Sequence, residues 1–435
     1  MSPRADASTV PGAGSPPTLA LHADASAASV AMLRVGVFLL CAAEAWVLWR
    51  QAAPIPPDAW VPFGLLGWLP AAMLDALRTT MGQQALFVAA GLTAVAAAFG
   101  IAPRVSLPVA TLMFILSQAV PRALQGLVNH AQVPVMLAAL VLTLGPSADA
   151  LVLWPRRRPP PPDGRYQATL VYIVAALCIG YAYIAAHRLA YGGLRLFSDE
   201  SLLQWFMQRS LSEANPEQAL GTRLIRSPWL ATAAQFAFPA ITALELSAPL
   251  CLFFRGYRRV FVPAMLLAHT AIYVLMHISF SQLVALYVVF IDSAAWSPRR
   301  ATLDAQGIPL PLVVFFDGVC GLCNRFVDFL LRRDHQHGLR FAPLQGSTAE
   351  SLALPTDFDT VVARDGTRTL VRSDAALAAL SRLGGLWAFA AVLGLVPRPL
   401  RDAVYRFVAH NRYRWFGRHD SCRLPEPHEA LSFLP

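Results

Sequence analysis

Residues 312–333 read LVVFFDGVCGLCNRFVDFLLRR, and this stretch decides the fold of the C-terminal part of the chain. The run Leu312 to Phe316 predicts a buried strand, bounded by Pro311 on one side and Asp317-Gly318 on the other. From about Cys320 to Arg333 the apolar residues Leu322, Phe326, Phe329 and Leu330 recur at helical spacing. Cys320 and Cys323 therefore form a C-x-x-C pair directly after a strand and at the start of a helix. A helix N-terminus offers unpaired N–H groups and the positive end of a dipole, which favour a thiolate, and the second cysteine lies one turn on, within disulfide reach. Cys320 is the expected attacking thiol and Cys323 the resolving one. A zinc site and an inert buried pair are the alternatives. Zinc would need two more ligands, and the nearby His335 and His337 fall beyond the helix. Asp317 is either a proton acceptor for the pair or simply the turn residue of Asp-Gly.

Downstream, Leu339 to Phe341 and Thr360 to Ala363 are expected strands, and Asp365-Gly366 makes a hairpin turn into Thr367 to Val371. Ser373 is placed to cap a helix that Gly384 and Gly385 end. Strand, helix, strand, hairpin, helix describes a small α/β domain over residues 311–435, entered through a polar linker at 299–310. Cys422 near its end is a third thiol, either a partner for exchange or a free surface cysteine.

Upstream the composition is of another kind. Of 435 residues 56% are hydrophobic and only 14% charged, and mean hydropathy is +0.49, against about a quarter charged in soluble domains. An ordinary soluble enzyme is excluded. After an Ala, Ser, Pro and Gly-rich tail at 1–28, expected to be disordered, residues 29–298 carry apolar runs near Val30 to Trp49, Gln83 to Ile101, Val105 to Val120, Val133 to Leu153, Gln167 to Ala190, Trp229 to Phe254, Val260 to Ile278 and Gln282 to Trp296. These predict a polytopic α-helical membrane domain of about eight spans. The first run also reads as a signal peptide's apolar core ending near Ala43-Glu44-Ala45, but the tail before it is long and lacks a basic cluster. Trp60 to Leu77, broken by Pro62, Pro70 and Asp75, suits a re-entrant or interfacial helix.

The formal charge of +9 comes from 35 basic residues, all arginine, so mechanisms that need a lysine are excluded. Arg156, Arg157, Arg158 and Arg165, then Arg255, Arg258 and Arg259, then Arg299 and Arg300 fall on one side of an eight-span arrangement, which predicts cytoplasmic termini in a bacterial-type inner membrane. No groove-reading or stacking motif accompanies the charge, and a nucleic-acid partner is not expected.

Ionisable residues inside spans are functional candidates by default. Glu245 lies in the sixth run; His269, Tyr273 and His277, four residues apart, share a stripe in the seventh; Arg34 and Glu44 are in the first, and His187-Arg188 ends the fifth. Either they line a polar cavity able to move protons or hold a quinone headgroup, or they pair with one another and lock the bundle. Cys41, Cys178 and Cys251 read as packing residues within apolar runs.

Two resemblances follow from these residues. The string FFDGVCGLCNRFVDFLLRRD, then LRFAPLQ, the SDAALAALSRLGG helix and PRPLRDAVYRFVAHNRYRWFG resemble, in order, the DCC family of thiol-disulfide oxidoreductases across Pro311 to Arg423, with Asp317, Cys320 and Cys323 as the name-giving motif. This resemblance implies a thioredoxin-like fold and exchange with protein or small-molecule thiols. More diffusely, Tyr183 to Leu189, Glu245 to Leu250 with Arg255, and His269 ahead of Phe280 resemble the horizontally transferred transmembrane domain of vitamin K-dependent gamma-carboxylases. His187 and Arg188 stand where those enzymes carry paired lysines, which argues against carboxylation but keeps a carboxylase-like membrane enzyme as a third reading, with quinone binding and another role for His187 open. A transporter or binding module with a regulatory thioredoxin-like domain is the reading from another class.

Overall fold

The computed structural model describes residues 21–23, 25–125, 132–154, 164–193, 227–293, 310–334, 337–352, 354, 361–421, 425–426 and 429–435. Residues 1–20, the arginines at 156–158, 299 and 300, and His335, Thr360 and Cys422 lie outside them. The chain divides into two compact units, one of residues 24–176 with 280–435 and one of residues 1–23 with 177–279.

The first unit opens with α1 (Ala27–Gln51), started by a capping box in which Ser29 N–H donates to Ser26 Oγ at 3.2 Å and Ser26 N–H to Ser29 Oγ at 3.0 Å. A broken segment follows: 3₁₀ turns at Pro57–Ala59 and Gly64–Trp68, then α2 (Ala71–Leu77). Its prolines keep the expected interfacial stretch from forming one helix. Next come α3 (Thr80–Ala98), α4 (Pro103–Gln125), α5 (Val133–Leu144) and α6 (Arg165–Gly192), the last of which runs on into the second unit. α1 packs along α3 and α5, and α3 along α4. Arg34 is fully buried beside α3, and its guanidinium donates to the carbonyls of Ser147, Ala98, Ala150 and Leu151. Carbonyl oxygens left over at turns and helix ends thus hold the charge that the apolar run must carry.

The second unit contains the end of α6, α7 (Pro228–Leu246), α8 (Leu250–Phe253) and α9 (Arg255–Met276). Trp229 to Phe254, expected as one span, is broken at Ser247–Pro249, because Pro249 has no N–H to continue the ladder. Back in the first unit, the last expected span shortens to α10 (Ser281–Ala285) and a 3₁₀ turn to Phe290. Among the described residues five helices are long and apolar enough to cross a membrane: α1, α3, α4, α6 and α9. α5, Phe236–Leu246 and Ser281–Phe290 are shorter apolar helices.

The α/β domain is built from β1 (Leu312–Phe316), α11 (Gly321–Leu331), β2 (Leu339–Pro343), α12 (Ser347–Ser351), β3 (Val362–Asp365), β4 (Arg368–Val371), α13 (Ser373–Arg382), a 3₁₀ segment (Gly385–Leu395) and α14 (Arg398–Phe416). The sheet order is β2-β1-β3-β4, with β1 parallel to β2 and antiparallel to β3, consistent with a thioredoxin-like domain. The hairpin turn expected at Asp365-Gly366 joins β3 to β4, and Gly366 supplies the positive φ of +61° that the turn requires. Both faces of β1 are buried, which is why it reads as a continuous apolar run. Leu312, Val314 and Phe316 meet Val327 and Leu330 of α11, while Phe315 meets Ala342, Ala349 and Val362. Full burial of Val327 or Leu330 contributes about 1.5–3 kcal/mol each. Ser373 does not cap α13: its hydroxyl donates to Asp402 and accepts from Arg401 at 2.9 Å, so α14 has claimed it.

Candidate active site around Cys320 and Cys323

Cys320 is the N-cap of α11, and its sulfur accepts the Cys323 N–H at 3.4 Å. Sequence dictates this: a short polar side chain ahead of a helix takes up one of the four N–H groups the helix cannot satisfy itself. Both cysteines are free thiols, Cys320 fully buried and Cys323 nearly so. Hydrogen bonding from the Cys323 thiol, helped by the N–H groups of Cys323 and Leu322 and by the Arg412 charge, pulls the Cys320 pKa down to about 6, against the opposing effect of burial. The same contact pushes Cys323 up, together with burial, the Cys320 charge and the Asp317 carboxylate. One thiol is therefore prepared as a nucleophile at neutral pH and the other holds its proton.

Asp317, 2% exposed, sits at the end of β1 with its carboxylate fully engaged. Oδ1 accepts from Val319 N–H at 3.2 Å and from Gln345 Nε2 at 3.0 Å; Oδ2 accepts from the Tyr413 hydroxyl at 2.5 Å and lies 3.5 Å from Arg412 Nη2. Burial and the bond to Asp317 push the Tyr413 hydroxyl's pKa up, which keeps it a donor. Gln345, Arg412 and Tyr413 were not singled out by motif reasoning, although all three lie in the blocks that carry the family resemblance. Nothing in their spacing from Cys320 announces the contact; the fold of α14 back onto α11 makes it.

That return also lays the chain across the loop that carries Cys320. Beyond α14 the chain crosses the active-site loop antiparallel to it, with Gly321 N–H donating to Gly417 O at 3.2 Å and His419 N–H to Val319 O at 2.8 Å. Gly417 ends the helix at φ +78° and ψ 170°, a backbone conformation that needs glycine. Gly321 is pressed so closely under Phe416 that a Cβ there would stand 2.2 Å from the Phe416 carbonyl oxygen. Cys320 has no exposed area, and residues 416–419 form a strap across its loop.

Among the described residues no group of three or more His, Cys, Asp or Glu is arranged to hold a metal. The membrane candidates separate. Arg188 Nη1 contacts Glu245 Oε2 at 2.7 Å and donates to Thr242 Oγ1 at 2.8 Å. His269 is buried, its Nδ1 2.7 Å from Met265 O and its ring edge-on to Tyr181. Tyr273 and His277 are exposed and stacked on each other, with His277 in a left-handed conformation (φ 54°) at the end of α9. His187 is exposed between Tyr183 and Tyr191. The six thus fall into an ion pair, a buried histidine and two exposed ring stacks. Glu44, in the first unit, accepts from Gln282 and lies 3.5 Å from Gln132 Nε2.

Comparison with known proteins bears on the α/β domain. Residues 314–418 match the family model described as DCC1-like thiol-disulfide oxidoreductase. Over 128 residues, 28% of this chain, it is 42% identical to the uncharacterized protein YuxK of Bacillus subtilis, covering 93% of that protein. Over 118 residues, 26% of this chain, it is 36% identical to a chloroplastic DCC family protein of Arabidopsis thaliana, covering 69% of it. No solved structure matches. Through this C-terminal domain, with its buried Asp317 and its Cys320-Cys323 pair, the chain belongs to the DCC family of thiol-disulfide oxidoreductases.

Proposed function

We propose that this chain is a membrane-bound thiol-disulfide oxidoreductase in which Cys320 attacks and Cys323 resolves. The single observation that carries it is the placement of Cys320 at the N-cap of α11 against Cys323, whose thiol hydrogen bond to Cys320 divides the pair into a low-pKa and a high-pKa thiol. The Cys320 thiolate attacks one sulfur of a substrate disulfide, forming a mixed disulfide and releasing the other substrate sulfur as a thiolate. Cys323 then gives its proton to the Asp317 carboxylate and attacks Cys320 Sγ. The Cys320–Cys323 disulfide forms, the second substrate thiolate leaves, and two electrons have passed to the substrate. Run in reverse, the same steps oxidise a substrate dithiol. The test is redox titration of the full chain in detergent with thiol trapping and mass analysis: a Cys320–Cys323 disulfide is expected, and its absence in every redox buffer ends the reading.

For the membrane part we propose a packing role for Arg188 and Glu245, supported by their ion pair, in place of the catalytic base that the carboxylase resemblance would ask of that position. Onward transfer of electrons to a membrane quinone is the natural extension of the fusion, and quinone reduction unchanged by Cys320→Ser would remove it. The arginine count supports a cytoplasmic position for the α/β domain.

A further inference from the structure

The outer face of α14 carries Leu400, Val404, Phe407 and Trp415, which are 61%, 66%, 62% and 48% exposed. At offsets of four, seven and fifteen residues they lie on one stripe, and the rings of Phe407 and Trp415 touch at 5.6 Å between centroids. A soluble domain does not leave such a stripe bare without a use for it. The charged residues of the helix are all basic but one. Arg401 and Arg412 point inward to Asp374 and Asp317, whereas Arg406 and Arg414, with Arg418 just beyond, are exposed. The helix's one acidic residue, Asp402, is engaged by Ser373.

The segment just before the helix packs on the apolar bundle. The 3₁₀ segment Gly385–Leu395, which leads into α14, packs on the spanning helix α1. A Cβ on Gly36 would lie 3.3 Å from Leu395 Cδ1, and the Phe389 ring meets that of Phe99 at the end of α3 in a tilted contact, 5.3 Å between centroids. Gly36 is nine residues into α1, so the segment reaches about 14 Å along that helix at 1.5 Å per residue. Only Val396 and Pro397 separate it from α14. Leu386, Leu393 and Val396 of this segment and its junction are exposed as well.

We infer that α14 is an interfacial membrane helix whose Leu400-Val404-Phe407-Trp415 stripe lies among the acyl chains of an anionic bilayer, with Arg406, Arg414 and Arg418 on the lipid phosphates. Apolar residues of this size, aromatic rings and arginines on one short helix are the composition that binds such a surface, and the 3₁₀ segment brings the helix to the end of a spanning bundle. The reading stands independently of the thiol chemistry.

The test reconstitutes the full chain, its six cysteines replaced by serine, into phosphatidylcholine vesicles with and without phosphatidylglycerol. A nitroxide is placed at Phe407→Cys or at Arg406→Cys, and its collisions with oxygen, which partitions into lipid, are compared with those with a water-soluble nickel chelate. Oxygen should dominate at 407 and nickel at 406, and omitting phosphatidylglycerol should raise nickel access at 407 several-fold. Nickel dominance at both positions would place the stripe in water and overturn the inference. Low access to both reagents at 407 would show it covered by protein, a second copy included, and would overturn it equally. A profile indifferent to phosphatidylglycerol would remove the assignment of the arginines to phosphates.

Discussion

The Arg412 guanidinium lies 3.5 Å from the Asp317 carboxylate although 94 residues separate them, and both side chains are almost wholly buried. This pair joins α14 to the end of β1 beside the two thiols. Its charges act on them in opposite senses, Arg412 favouring the thiolates and Asp317 opposing that of Cys323. Removing one partner of a buried ion pair strands the other, at a cost of about 3–5 kcal/mol. Arg412→Leu is therefore expected to lower the denaturation midpoint and to raise the Cys320 pKa, whereas Arg412→Leu with Asp317→Leu recovers much of the stability. Unfolding of the single and double variants, with alkylation of the surviving thiols, checks both halves.

The alkylation rate of Cys320 by a small neutral reagent follows its thiolate fraction. With a pKa near 6 the rate should climb between about pH 5 and 7 and then level off, whereas an ordinary thiol would still be rising at pH 8. In a variant whose other cysteines are alanine this profile shifts upward, because the hydrogen bond from Cys323, its largest cause, is gone. A profile that keeps its low midpoint without Cys323 would assign the effect to the helix N–H groups and Arg412 instead.

Asp317→Asn preserves the shape of the site but takes away the carboxylate proposed to accept the Cys323 proton. Resolution of a mixed disulfide on Cys320 should slow by about 10²-fold at neutral pH, the usual scale of one general base, with the initial attack left fast. Quenched-flow trapping of the mixed disulfide separates the two steps. Equal slowing of both would make Asp317 a structural residue.

Gly321→Ala forces a methyl group against the Phe416 carbonyl oxygen. Overpacking of this kind costs about 1–3 kcal/mol. The strap is the part able to yield, so Cys320 should become more accessible to a bulky thiol reagent as the melting temperature falls. A stable variant with Cys320 still protected would show that the loop, not the strap, gives way.

In the membrane part, Glu245→Gln leaves the Arg188 charge without its carboxylate. A loss of about 3 kcal/mol or more in resistance to detergent unfolding is expected, with no change in disulfide exchange at Cys320. Loss of exchange with the stability intact would instead make the pair part of the redox path.

What could be read from the sequence follows from how local its causes are. β1, the start of α11 and the Asp365-Gly366 hairpin depend on residues within a few positions of one another, and each stands where the pattern puts it. The capping role of Cys320 belongs to the same class. Arg412, Tyr413 and Gln345 reach Asp317 through the tertiary fold, and no spacing rule carries that. Ser373 has the residue type and the place of a cap, yet its hydroxyl turns to Asp402 and Arg401, a charged pair that outbids a backbone N–H. In the bundle, the expected run from Trp229 to Phe254 has the apolarity of a span throughout, and only Pro249 marks the break. The stripe at His269, Tyr273 and His277 parts within α9, where His269 is buried while Tyr273 and His277 are exposed and stacked on each other.

The fit of Gly321 beneath Phe416 has a consequence for how this domain can change its driving force. In a C-x-x-C motif the intervening residues are the nearest place to alter the stability of the thiolate, and through it the reduction potential. Here the first of them is closed to any side chain. Drift in potential is left to Leu322 and to charges at a distance such as Arg412, the latter written in the same helix that carries the Leu400 to Trp415 stripe.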